Sequence, residues 1–273
     1  VLPPLAAEVP PLPPPDDAGL PPLPPTSPRN ANYSIDARLD PDRHTLDGTL
    51  ELRWRNVSNV TVQAFPFHLY WNAFRNTLSA SARGEGRRSA RSGRKDSDRG
   101  YGYVDVTSVK LVGRNETDLT PTIRYLPALD VAAPGAGPPN TDDRTVMEVT
   151  TPFPVPPGGE ARSGIAWHPR IPYGDVGRAG WVHDYHFMAQ WFPKVGVIQD
   201  GVWNAPAFYP WTEFYSDFGV YDVRLTTPRG FVVGATGRLE EKKENADGTD
   251  TFRYVQEDVH DFTWTASRRY EDH

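Results

Sequence analysis

The residues best suited to chemistry lie in the last third of the chain. His183-Asp184-Tyr185-His186 sets two imidazoles three positions apart. On a helix they would share a face and could hold zinc or copper. The stretch reads as a strand, however, where they point to opposite faces, and no third ligand stands close in sequence. The expectation is a polar rim at a strand end and no metal site. Glu213 and Asp217 lie four apart among aromatic rings that could stack on a sugar. Glycoside hydrolysis needs two carboxyls roughly 5–10 Å apart, one with a raised pKa; capping of turns is the plainer role. Asp36, Asp40 and Asp42 crowd one segment but lack the glycine and closing glutamate of a calcium loop. His-Glu-x-x-His, Gly-x-Ser-x-Gly and the P-loop are all absent from the sequence. Gly174, Gly177 and Gly180 read as turn glycines, since no helical pattern follows to hold a phosphate. Asn32, Asn56, Asn59 and Asn115 match the glycosylation pattern, which matters only in a eukaryotic secretory protein. No catalytic residue is assigned.

The elements that must position these residues are strands. From Asn30 the chain alternates with period two: Tyr33, Ile35, Ala37 and Leu39, then Leu50, Leu52 and Trp54 against charged neighbours. Asp47-Gly48, just before the second run, reads as a turn. A third apolar stretch takes in Val60, Val62, Phe65, Phe67, Leu69 and Trp71, with Pro66 marking an edge or a bulge. Further strands are expected at Tyr103–Lys110, Thr122–Leu126, Thr145–Thr150, Gly164–Trp167, Phe218–Thr226, Phe231–Gly237 and, after the Asp247-Gly248 turn, Thr251–Gln256. No segment of ten residues carries a 3.6 period, so the fold class is all-β.

The prolines divide the chain. Twelve of 29 fall in the first 28 residues, so 1–29 reads as an extended or disordered proline-rich tail and 30–273 as the β domain. The tail is read as a spacer after a cleaved leader, in a chain that opens at Val1. Residues 79–100 hold seven basic and three acidic residues with no apolar period, and 128–143 are rich in Pro, Gly and Asp. Both read as flexible loops. A net charge of −6 argues against a nucleic-acid partner, and no apolar run approaches the ~18 residues of a membrane span. The absence of cysteine removes thiolate and Cys–zinc chemistry without settling the compartment.

Gly-Trp-Val-His-Asp-Tyr-His-Phe-Met-Ala-Gln-Trp-Phe-Pro-Lys (180–194) resembles the central segment of the N-terminal β domain in the aminopeptidase N family of gluzincin zinc metallopeptidases. Residues 212–228, 232–237 and 258–267 extend the resemblance, and 32–39, 46–55 and 67–72 look like the opening strands of that domain. The likeness covers roughly 30–270 and is to bacterial members. It implies a large, saddle-shaped β domain leaning on a thermolysin-like catalytic domain that follows in the same polypeptide. There the family carries Gly-x-Met-Glu-Asn, His-Glu-x-x-His and the zinc, none of which this chain encodes, so the chain alone is expected to be inactive. It further implies a secreted or periplasmic protein acting on peptides. In the family a Gln or Glu upstream of a Phe-Pro-like pair helps bind the substrate amino terminus. Here the pair is Phe192-Pro193; counting back lands near Asp184, and Gln190 is the nearest amide. Lys194-Val195-Gly196 replaces the acidic residue and proline that usually follow. Asp184 would suit an ammonium by charge pairing, or serve only to satisfy backbone donors. Two rival readings are a β-sandwich carbohydrate-binding or adhesion module, using exposed Trp191, Trp203, Trp211 and Tyr215, and a glycosidase fragment using Glu213 and Asp217.

Overall fold

Alternating burial along the first two strands sets the architecture. In the computed structural model the described residues are 24–83, 100–113, 116–128, 139–174, 179–209 and 213–270. They form β1 (Ala31–Asp40), β2 (Thr45–Arg55), β3 (Val62–His68), β4 (Tyr103–Leu111), β5 (Thr117–Asp118) and β6 (Arg124–Tyr125). Next come β7 (Val146–Val155), β8 (Glu160–Arg170), β9 (Ala179–Val182), β10 (Tyr185–Met188), β11 (Lys194–Val195) and β12 (Val197–Gln199). The last are β13 (Val202–Asn204), β14 (Gly219–Pro228), β15 (Val232–Ala235), β16 (Arg238–Glu244), β17 (Thr249–Val259) and β18 (Trp264–Ser267). The protein is all-β, with several sheets and no closed barrel among the described residues. No helix among those residues is long and apolar enough to cross a membrane.

Eight strands make the large sheet, in the order β16-β17-β14-β1-β2-β8-β4-β5. Its pairs are antiparallel except β1 with β14, which run parallel. Tyr33, Ile35, Leu50, Leu52, Ile165, Tyr221, Val223 and Leu225 all turn to one buried face, as period two requires. Two four-stranded sheets, β15-β18-β10-β9 and β11-β3-β7-β6, contribute to the same core, and β12-β13 form a ribbon. Indoles carry the contact between sheets. Trp167 of β8 lies 5.9 Å from Trp191, and Trp191 lies 5.9 Å from Trp264 of β18. Trp54 of β2 meets Phe65 of β3 edge-on at 5.2 Å.

Three sequence expectations are corrected. Asp47-Gly48 is no turn: both residues lie inside β2, paired with Arg38 and Ala37. The turn comes earlier, at 41–44, where Asp40 Oδ1 accepts the N–H groups of Asp42 (3.0 Å) and Arg43 (2.9 Å). Glycine stands at 48 because a Cβ there would sit 2.5 Å from the Trp167 ring. Thr122–Leu126 is mostly not strand, because a 3-10 turn at Thr120–Thr122 leaves only Arg124–Tyr125 paired in a sheet. His183-Asp184 forms the bend between β9 and β10, with His183 at φ 57°.

Pro66 stands within β3 opposite Glu148. Its carbonyl accepts the Gly196 N–H at 2.9 Å, so its missing donor faces that side, past the two-residue β11. Much of the proline-rich tail and of both long loops lies outside the described residues. Their described ends are tied down. Thr26, Ser27 and Arg29 all bond Asp258, while Ser79, Ser81 and Asp143 are buried.

Gly48→Ala should destabilise the fold by ~1–3 kcal/mol through overpacking against Trp167. Gly164→Ala, whose Cβ would find its nearest neighbour at 3.5 Å, should be neutral or stabilising by up to ~1 kcal/mol. Urea denaturation of the two variants checks the contrast.

Candidate functional site

Behind β10 the chain makes a bend with two of its carbonyls held by indoles and its own indole tied to the link before β18. The Trp71 N–H donates to the Ala189 carbonyl at 2.8 Å, Trp167 to that of Trp191 at 3.2 Å, and Trp191 to that of Phe262 at 2.9 Å. Trp191 and Phe192 drop fully into the core, and Gln190 between them and β10 is left at φ 60°. A non-glycine residue in the left-handed region is held there by its surroundings.

The Gln190 side chain closes a triangle. Its Oε1 accepts from Lys194 Nζ at 2.8 Å, and its Nε2 donates to Asp261 Oδ2. Lys194 Nζ also donates to Asp261 Oδ1 at 2.6 Å, an oxygen that takes the Phe262 N–H as well. The Lys194 side chain is 1% exposed and that of Asp261 17%, so the ion pair runs from the interior towards the surface. Burial pulls the lysine below its ordinary pKa, against the opposing pull of Asp261. Phe192 lies under the ammonium at 5.2 Å.

His68, cross-strand from Lys194, is stacked on Tyr70 with ring centroids 4.6 Å apart, and neither ring nitrogen has a partner. Burial, then the Lys194 charge, lowers it to about 3, so it is neutral. Nearby, Asp217 accepts the Asn30 amide at 2.7 Å, and burial raises its carboxyl above the ordinary value. Glu213 is exposed.

Asp184 is placed elsewhere. It sits in the β9–β10 bend, at the opposite end of β10 from Gln190, six residues and up to ~20 Å of extended chain away. Its Oδ2 accepts the Arg268 N–H (3.0 Å) and Ser267 Oγ (3.2 Å), and its Oδ1 pairs with Arg269 Nε at 3.1 Å. Burial opposes ionisation, but these donors hold the carboxyl below its usual range. The two residues therefore do not converge, and Asp184 satisfies backbone and arginine donors around the end of β18.

The His-x-x-His pair also separates. His183 is exposed, whereas His186 is fully buried and meets His44 of the β1–β2 turn, Nε2 to Nδ1 at 3.2 Å. His186 Nδ1 lies 3.1 Å from the Asp184 carbonyl, which makes Nδ1 the donor and Nε2 the acceptor. Burial, then His44, lowers His186 to about 4. Among the described residues no three His, Asp or Glu side chains gather into a metal-holding group. The donors present here do not make up a catalytic zinc site.

Among the described residues the aromatic row needed for sugar stacking is not formed. Trp191 is fully buried; Trp203 packs on the core with its indole N–H on the Ala64 carbonyl at 2.8 Å; Trp211 lies outside the described residues. Tyr215 is exposed.

Lys194 and Asp261 were not singled out as site residues from sequence. The available signal was a lysine inside the apolar run Trp-Phe-Pro-Lys-Val, which demands a buried carboxylate somewhere in the chain.

No family model matches the chain, and no curated protein matches it. Solved structures similar to it include an M1 zinc metallopeptidase from Deinococcus radiodurans, at 15% identity and TM-score 0.49 over 88% of this chain and 42% of that one. A mutant of the same enzyme bound to a Tyr-Ser-Ala substrate gives 14% identity and TM-score 0.49, over 88% and 43%. The chain thus spans less than half the length of those proteins.

His68 and His186 are neutral in the fold but titrate near 6.5 when unfolded. The unfolded state binds the extra protons, so stability should fall as pH drops from 6.5 towards 4, by up to ~1.4 kcal/mol per pH unit for each histidine. Urea denaturation at pH 7, 6 and 5 measures this, and His68→Phe should remove about half of the slope. A flat profile would contradict the assignment.

Proposed function

We propose that this chain is the non-catalytic N-terminal β domain of a zinc aminopeptidase of the aminopeptidase N type. In this reading it covers one side of the active-site cleft, and the amide of Gln190 helps bind the free amino terminus of a peptide. The observation that carries the proposal is the placement of Gln190. It stands immediately before Trp191-Phe192-Pro193, in a left-handed conformation flanked by indole bonds to the Ala189 and Trp191 carbonyls, with its amide clamped on both sides. Of the two candidates, Asp184 already spends its oxygens on Arg268, Ser267 and Arg269, whereas Gln190, though only 5% exposed, has one lone pair and one N–H beyond its bonds to Lys194 and Asp261.

The catalytic partner is a thermolysin-like domain of the same polypeptide, and with it comes a zinc ion that would polarise the scissile carbonyl and activate water. The role of this chain is to hold and orient. An ammonium approaching from the surface would meet the partly exposed Asp261 carboxylate, an acceptor suited to –NH3+, with the buried Gln190 amide behind it. A secreted or periplasmic location belongs to the same proposal.

In the polypeptide carrying both domains, Gln190→Ala should raise KM for aminoacyl reporter substrates by about tenfold with kcat nearly unchanged, the loss of one charge-assisted hydrogen bond. The 273-residue chain alone, supplied with zinc, should release no product. Metal-dependent turnover by the isolated chain would overturn the reading.

A further inference from the structure

We propose that Lys194 is a positioning residue: together with Asp261 it fixes which way the Gln190 amide faces. The inference rests on the reading of Gln190 as a substrate-facing residue, but its geometry stands alone. An amide can be flipped with little change in shape, and only its neighbours choose between the two orientations. With Oε1 on the Lys194 ammonium at 2.8 Å and Nε2 on the Asp261 carboxylate, both contacts run from donor to acceptor. Flipped, the NH2 group would face an ammonium and the carbonyl a carboxylate, and both contacts would be repulsive. The Lys194–Asp261 pair at 2.6 Å holds both partners in place and neutralises the carboxylate from the interior side. The left-handed backbone at Gln190 removes the remaining freedom. Oε1 is thus turned inward onto Lys194 and Nε2 towards the partly exposed Asp261 carboxylate.

A lysine that served only to support the core would be replaceable by an apolar pair without consequence at Gln190. Removing one member of a buried ion pair strands the other, whereas replacing both with apolar residues is commonly neutral for stability. Lys194→Met/Asp261→Leu is therefore the informative variant, with Lys194→Met alone as a second in case the double variant packs poorly.

The first measurement uses the 273-residue chain and follows the Gln190 side-chain NH2 group by NMR. In the wild type its two protons should be resolved and should exchange with water at least tenfold more slowly than those of an exposed glutamine. In the double variant, at an unchanged melting temperature, they should exchange at least tenfold faster than in the wild type. Unaltered protection would overturn the proposal whatever the protein does.

The second measurement uses the two-domain polypeptide. Lys194→Met, which leaves the Asp261 carboxylate in place, should raise KM by about the same factor as Gln190→Ala, with kcat preserved, and combining the two should add nothing further. A Gln190→Ala variant with unchanged KM would refute the functional reading. A Lys194→Met variant with unchanged KM beside an impaired Gln190→Ala would refute the positioning role alone.

Discussion

The charge of Lys194 is the constraint on which the surrounding structure depends. An ammonium withdrawn from water costs several kcal/mol unless it is paired and hydrogen-bonded, and here it is 1% exposed. Two acceptors meet it, and they come from different parts of the chain. Gln190 arrives four residues upstream, through the bend after β10. Asp261 arrives 67 residues downstream, from the link between β17 and β18. For both to arrive, β11 must pair with β3, which places His68 directly across and leaves it unprotonated in the same pocket. One buried cation therefore ties together two sheets, one strained backbone position and the orientation of one amide.

Around that point the tryptophans act as struts. Trp71, Trp167 and Trp191 each bury a large apolar area, and each spends its single N–H on a carbonyl of the bend or of the link to β18. The same rings that form the core between sheets thus fix the backbone that presents Gln190. Gly48 belongs to this arrangement, because the Trp167 ring occupies the space where a side chain would stand.

Much of the scaffold was legible in the residues. Period-two alternation at Tyr33–Leu39 and Leu50–Trp54 reports a half-buried sheet directly, since side chains alternate faces whatever the strand pairs with. Local rules failed where a distant residue decided the outcome. Asp47-Gly48 has turn chemistry, but its glycine answers to an indole 119 positions away; His186 pairs with His44, 142 positions away, not with His183. Asp184 and Gln190 are six residues apart in sequence, and an extended β10 separates them. The triangle at Gln190 was legible only in part, because a lysine in an apolar run announces that it needs a partner without naming Asp261.

The central claim is that Lys194 carries its charge inside the core, bonded to Asp261 and Gln190. Its most direct test is the Nζ resonance of Lys194 in a 1H–15N correlation spectrum of labelled protein, with transfer through the hydrogen bond to the Asp261 carboxylate carbon. The account expects a slowly exchanging –NH3+ signal that shows this transfer. An Nζ that exchanges as fast as the half-exposed Lys110, with no transfer to Asp261, would contradict it.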